Sequence, residues 1–339
     1  MNLVIFGRMI LLSYMKRFFL FLSVLSLVIC CGENNNNTYR PEEKPDEDKT
    51  EEQASWPERG LNATYINNGT LQIGIDLTRG GGICHFSEVG TKRNLLNHCD
   101  EGRFIQQSYY GDADGSSWNG TPWNWNPVQG GSWKGDKSEI LSSNIEADRL
   151  TVVTRPRHWA SGELLDNCSM TEVITLEGDC AHIVFTFSYT GTSSYKARHQ
   201  EMPAVFCDAA LGTLVYYDGS KPWTSDPSLK KVVPNNISDT NPSTGKTYGN
   251  QYVTRKEEWS AYVDSNDWGL GVYTPGTTQI TYYTFGHGAT GAAASPCSYF
   301  SPIRTLAITP NLILKYDIWV TIGTIAEIRS RFETLHRAS

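Results

Sequence analysis

Within Arg198-His199-Gln200-Glu201-Met202-Pro203, proton-transfer groups crowd into six residues of the 339-residue chain. On an extended backbone His199 and Glu201 point the same way, because side chains alternate from face to face, and so reach one ligand. A carboxyl beside an imidazole suits general acid–base chemistry. Glu201 is the first candidate for that role, since a carboxylate in an apolar, strand-rich region needs a partner to be buried. His199 is its neighbour or a second proton-transfer group; alone, it reads equally as an edge histidine. Glu257-Glu258-Trp259 enters another strand pattern. There Glu258 is the candidate to complete a carboxylate pair with Glu201, with Trp259 beside it, unless it is an exposed charge before an edge strand. Pairs about 5–5.5 Å apart suit a retaining glycosidase and wider ones an inverting one.

The segment Gly111–Gly135 holds six Gly and four Trp, including Pro122-Trp123-Asn124-Trp125-Asn126-Pro127. Such a composition predicts a long ordered loop rather than a strand or linker, and long ordered loops usually carry function. Indole rings take the apolar C–H faces of a sugar, while amides take its hydroxyls. Trp118, Trp123, Trp125, Asn126 and Gln129 supply that mixture. The competing reading has these Trp covering one end of the fold as a satellite core.

Just before it, Asp100-Glu101-Gly102-Arg103-Phe104-Ile105-Gln106-Gln107-Ser108-Tyr109-Tyr110 is polar on both faces if extended, as a concave floor facing a polar ligand would be. Arg103, Gln106 and Tyr109 are its candidate binding residues, with Arg103 able to fork a carboxylate or to pair with Asp100. Arg155, Arg157, His158 and Trp159 form a small cationic cluster, of which Arg157 and Trp159 are taken as binding candidates. An elimination reaction on a uronic acid would use Arg103 or the Arg155/Arg157 cluster against the carboxylate, with Tyr109 or His199 as base.

Other chemistries find little support. The chain has 36 acids against 29 bases and a net charge of −7, which argues against nucleic acid and anionic lipid as partners. No nucleophile elbow, phosphate loop or dinucleotide fingerprint occurs. His98, His158, His182 and His287 lack metal spacing, and no metal or other cofactor is expected. Asp112-Ala113-Asp114-Gly115 opens like a calcium loop, but Trp123 stands where a helix-loop-helix site needs a bidentate Glu; a looser calcium site is the minor alternative.

The elements that position these groups are strands. Period-two alternation marks Leu71–Leu77, Leu150–Arg155, Ser169–Leu176, Ala181–Tyr189, Thr213–Tyr217, Trp259–Val263, Gly269–Tyr273, Ile280–Phe285, Leu306–Thr309 and Leu312–Ile322. Ile325, Ile328, Phe332 and Leu335 recur at helical spacing near the end. Many strands with one short C-terminal helix predict an all-β chain, a large antiparallel β-sandwich over a single domain, 61–339.

Leu71-Gln72-Ile73-Gly74-Ile75-Asp76-Leu77-Thr78-Arg79-Gly80-Gly81-Gly82-Ile83, then Asn94-Leu95-Leu96-Asn97 and Asp100-Glu101-Gly102-Arg103, resembles the start of galactose mutarotase-like supersandwich domains. The ending, a long strand and then Gly323-Thr324-Ile325-Ala326-Glu327-Ile328-Arg329, is similar too. The likeness is of layout across most of residues 65–335 and implies a carbohydrate-active or carbohydrate-binding domain. That group includes epimerases, glycosidase and lyase domains and non-catalytic modules, so fold alone does not choose among them.

Residues 1–31 read as a leader: Met15-Lys16-Arg17 precedes an apolar run ending in Val28-Ile29-Cys30-Cys31-Gly32, which resembles a bacterial lipobox. Cys31, or alternatively Cys30, is the expected lipidation site. Residues 32–60, with nine acids and four bases, read as a disordered tether. The layout resembles a Bacteroides-type surface lipoprotein, at the outer membrane or in the periplasm, touching membrane only through its anchor. Six Cys follow the leader. A hairpin turning at Gly178-Asp179 would place Cys168 and Cys180 at opposite ends of its ladder, roughly 30 Å apart, too far to bond.

The resulting expectation is an enzyme that cleaves glycosidic bonds of a poly- or oligosaccharide, by hydrolysis rather than elimination. The alternative is a non-catalytic lipoprotein that captures oligosaccharides. A scaffold protein, the third reading, would bury its Trp residues and have no cleft.

Overall fold

The computed structural model describes residues 61–338. The leader, the tether and the lipidation site at Cys31 or Cys30 lie outside the described residues.

Two large antiparallel sheets make the fold. The first follows the order β1 (Ala63–Asn67), β2 (Leu71–Asp76), β3 (Gly82–Glu88), β4 (Ile105–Ser108), β13 (Tyr195–Asp208), β20 (Cys297–Ile308), β19 (Gln279–Phe285) and β16 (Gln251–Thr254). Beside β4 it adds β7 (Pro127–Val128) and β10 (Arg157–His158). The second runs β15 (Leu229–Val232), β14 (Thr213–Tyr217), β17 (Trp259–Val263), β18 (Trp268–Tyr273), β21 (Leu312–Thr324), β12 (Cys180–Tyr189), β11 (Cys168–Glu177), β9 (Arg149–Arg155) and β8 (Glu139–Ile145). A separate hairpin pairs β5 (Ala113–Trp118) with β6 (Thr121–Asn124). Helix α1 (Ile325–Ala338) follows β21 directly. The expected large β-sandwich with a C-terminal helix is what the chain forms.

The main core lies where the sheets face each other: Ile73, Ile83, Ile105, Met202 and Phe300 from one meet Val152, Ile174, Phe185, Leu270 and Ile318 from the other. Alternation decides these faces. In β12, Ile183, Phe185, Phe187 and Tyr189 are all buried, while Val184 is also buried only in part. Gly178 takes φ +60° at the β11–β12 turn, the left-handed value required at the first position of a two-residue hairpin turn. Its ladder sets Cys180 opposite Glu177 and Cys168 opposite Tyr189, as the sequence implied.

The outer face of the second sheet is covered by α1. Ile325, Ile328 and Phe332 pack on Val215, Trp259, Ala261 and Tyr273, so β17 is buried on both faces. A capping box starts the helix: Glu327 accepts from the Thr324 backbone N–H at 2.8 Å, and the Glu327 N–H donates to Thr324 Oγ1 at 3.4 Å.

Two expectations need correction. The Trp-rich segment is not strandless, since β5 and β6 form within it around Asn119-Gly120, both at positive φ (47° and 80°). This is the dipeptide a type I′ turn prefers; polar strands on both sides hid it. The strand expected at Leu306–Thr309 is the tail of the twelve-residue β20, whose apolar, two-face-buried first half lacks alternation.

Candidate functional site

The first sheet turns one face to the core and the other to a cleft. Along β13, Gln200 and Met202 point inward, while His199 and Glu201 lie on the opposite face. Pro203 has no N–H to give the ladder, and pairing with both neighbours shifts register just after Glu201. Such bulges re-aim side chains next to sites. Glu201 stands opposite Ser108 of β4 and Ile303 of β20, on the floor of a cleft of about 380 Å³. Ser108, Tyr110, Phe206, Tyr283, Phe285 and Cys297 share that floor.

Four indoles, Trp118, Trp123, Trp133 and Trp159, line the cleft with Asn126, Arg103 and Asp100. Trp118 and Trp123 meet edge-to-face at 5.1 Å across the β5–β6 hairpin. Asn126 orients Trp123 by accepting its indole N–H at 3.2 Å, and donates to the Tyr109 carbonyl at 2.7 Å. Trp133 donates to the Ala160 carbonyl at 3.0 Å, tying its loop to the segment that carries Trp159. His158 bonds Asp114 at 2.7 Å and so anchors the hairpin. Gly102 is required beneath Trp159, because a Cβ there would lie 2.6 Å from the ring.

Glu201 is half-buried. Burial pushes its carboxyl above the ordinary 4.5, opposed by hydrogen bonds from Tyr299, Ser108 and Tyr110. Tyr110 and Tyr299 are themselves pushed up by burial and by the charge of Glu201, so both remain phenols. Tyr283 stacks on Tyr299 at 4.4 Å and stiffens it. The floor thus holds a carboxyl of elevated proton affinity in a cradle of hydroxyl donors. Arg103 pairs with Asp100 at 3.3 Å and lies over the rings of Phe206 and Phe285 at 5.2 and 5.3 Å. It therefore combines the ion pair with a place in the cleft.

Among the predicted residues, Glu201, Arg103, Trp123, Asn126 and Trp159 meet in this cleft. His199 does not line it; it is exposed and borders an adjoining hollow that Glu201 also lines.

Several expectations are overturned by the packing. Glu258 precedes β17 in the other sheet and lies 3.9 Å from His336 of α1, so it forms no pair with Glu201. Trp259 is fully buried under α1 and donates to Glu257 at 2.6 Å. Tyr109 faces the interior, against Phe187 at 4.4 Å, because it shares the inward face with Ile105 and Gln107. Gln106 is fully buried, accepts from the Gly130 N–H at 2.6 Å and donates to the Glu101 carbonyl at 3.1 Å. Trp125, past the end of β6, stacks on Tyr195 at 4.4 Å inside a satellite core. Gln129 lies between the sheets, donating to Glu172 at 2.9 Å and to the Gly80 carbonyl at 3.2 Å. Arg157 is spent on the carbonyls of Lys137 and Gly162, each at 2.6 Å.

Tyr110, Tyr283 and Tyr299 were not among the sequence candidates. Tyr110 had a signal, since it alternates with Ser108 on the face opposite Tyr109. Tyr283 and Tyr299 gave none, because only the pairing of β19 with β20 sets them side by side. The carboxylates of the calcium-like stretch are engaged, Asp112 with Arg198 at 2.9 Å and Asp114 with His158.

No known family matches the chain, and no curated protein matches it. Solved structures do resemble it. A galactose mutarotase related enzyme from Lactobacillus acidophilus aligns at 8% identity and TM-score 0.49, over 77% of this chain and 97% of its own. A galactose mutarotase-like protein from Lactobacillus casei aligns at 11% and 0.48, over 77% and 99%. One from Clostridium acetobutylicum aligns at 9% and 0.46, over 78% and 95%. These likenesses concern strand layout alone.

Proposed function

We propose that the cleft binds a carbohydrate chain and that the protein cleaves a glycosidic bond there by hydrolysis. Glu201 is the proton donor to the leaving oxygen, while water attacks the anomeric carbon. The observation that carries this is the meeting of Glu201, with its raised proton affinity, and four indoles in one hollow. Indoles match the C–H faces of sugars, and a carboxyl that holds its proton at higher pH is the form that a general acid needs. Phenols of Tyr110 and Tyr299 remain to stabilise the carboxylate once the proton has left. Asp100, the other carboxylate in the cleft, is the candidate to activate water.

A second reading is capture without catalysis. It is favoured by one feature: Asp100 is already paired with Arg103, and neither His199 nor Glu258 stands in the cleft to assist Glu201. Incubation with plant and host glycans separates the two. Hydrolysis predicts new reducing ends from wild type and at least about 100-fold fewer from Glu201→Gln, which still binds. Elimination, with Arg103 facing a uronate, would instead give unsaturated products absorbing in the ultraviolet. Binding without products from any glycan supports capture. The proposal retains export as a lipoprotein anchored at Cys31 or Cys30, which fatty-acid labelling of Cys31→Ser and Cys30→Ser variants tests.

A further inference from the structure

Beside the aromatic cleft lies a second hollow of about 230 Å³, formed by His199 of β13, Asn250 and Tyr252 at β16, and Thr281 of β19. Glu201 and Tyr110 line both hollows. Glu201 therefore borders two spaces of different character. One is walled by indoles and phenylalanines. The other presents an imidazole, a carboxamide and one exposed aromatic ring, above the buried Thr281 hydroxyl, which accepts from Asn250 and donates to the Gln251 carbonyl.

We infer that the second hollow is a sugar subsite across Glu201 from the Trp cleft, taking one ring of the same glycan, so that the bond acted upon lies over Glu201. The inference rests on the carbohydrate reading above and extends it with a subsite and its residues. Size supports a single ring, since the hollow is smaller than the about 300–1,000 Å³ of clefts that enclose larger ligands. Chemistry supports a sugar. Tyr252 is 52% exposed, and its ring lies 5.7 Å from that of His199, so it offers an apolar face at the mouth. Asn250 donates to Thr281 Oγ1 at 3.2 Å, which fixes its carboxamide while leaving the carbonyl oxygen for a hydroxyl. Position supports continuity: among the described residues β16 is the last strand of its sheet, and none of them closes the sheet beyond Tyr252. The arrangement also gives His199 a role that its distance from the indoles otherwise denies it, contacting the ring that departs from or remains after cleavage.

The test uses the whole protein and a panel of defined mono- to hexasaccharides of glucose, galactose, mannose, xylose and uronic acids, followed by tryptophan fluorescence and calorimetry. Glu201→Gln serves as the parent, so that chains stay intact. Affinity should rise in steps with chain length. Asn250→Ala, Tyr252→Ala and His199→Ala should each weaken binding about tenfold for chains long enough to cross Glu201, the loss of one ring stack or hydrogen bond. They should leave unchanged the shorter chains held by the Trp cleft alone, and melting temperatures should match the parent. If all three variants bind every length as the parent does, while Trp123→Ala loses binding, the subsite is refuted and the sugar cleft stands. If no saccharide in the panel binds the parent, the carbohydrate reading falls and the subsite with it.

Discussion

Tyr299 of β20 donates its phenolic hydrogen bond to the Glu201 carboxylate on β13, across 98 residues of chain. The bond favours the ionised carboxylate, while burial favours the protonated one, and burial prevails. Glu201 is thereby a carboxyl whose proton affinity a neighbouring strand adjusts.

Replacing Glu201 by Gln should lower turnover about 100- to 10,000-fold, the usual worth of a positioned acid, with glycan affinity retained. Reducing-end assays and calorimetry on the same preparation check both halves. Equal turnover in the two proteins would remove Glu201 from the chemistry.

The pH profile carries a second expectation. As a donor, Glu201 is active below its folded pKa, so activity should persist above the ordinary carboxylate range and fall at the alkaline side. Tyr299→Phe deletes a bond to the charged form and should move that limb to still higher pH. A limb that moves down, or not at all, would contradict the assignment.

Two indoles two residues apart should behave differently. Trp123→Ala should weaken glycan binding by about 1–3 kcal/mol with little change in melting, as befits a half-buried ring at a binding surface. Trp125→Ala should cost about 3–5 kcal/mol of stability, because Trp125 is 6% exposed and packed on Tyr195. Thermal melts and titrations together distinguish them.

Glu172 gives a test that is independent of the ligand. Buried between the sheets, its carboxyl is pushed from 4.5 up to about 8, with Gln129 as the hydrogen-bond donor that partly offsets burial. The native state then holds a proton that the unfolded chain releases above pH 4.5. Stability should therefore fall as pH rises from about 4.5 to about 8, with a single-proton slope of at most about 1.4 kcal/mol per pH unit. Urea denaturation at several pH values should show Glu172→Gln flattening that slope.

The pair Glu257 and Glu258 completes the set. Glu257 is fully buried and accepts from Arg329 at 2.7 Å and Trp259 at 2.6 Å, so Glu257→Ala should cost about 3–5 kcal/mol by stranding the guanidinium. Glu258→Gln should leave both turnover and glycan binding unchanged, which direct assay decides.

Much of the architecture was legible because a strand writes its two faces into alternate residues. Ser169–Leu176 with Ala181–Tyr189 announced a hairpin down to its register, and Ile325, Ile328 and Phe332 announced the helix that covers a sheet. Glu201 was legible for a related reason: a carboxyl in an apolar strand demands an explanation. What alternation leaves open is which face meets the core. Tyr109 and Tyr110 are equivalent in sequence, yet the chain just past β4 packs Tyr109 inward and leaves Tyr110 for the cleft.

By itself, then, the sequence determined the sandwich, its terminal helix and the residue types available for a sugar. Tertiary structure alone decided that Glu201 keeps company with Tyr299 and Trp123 rather than with Glu258 and Trp259. The reason is physical. Local chain geometry sets the direction of a side chain relative to its own strand, but the partner strand and the covering layer depend on contacts between residues far apart. Glu258 belongs to a sheet whose outer face α1 covers, whereas Glu201 belongs to one whose outer face is left as a cleft roofed by indoles.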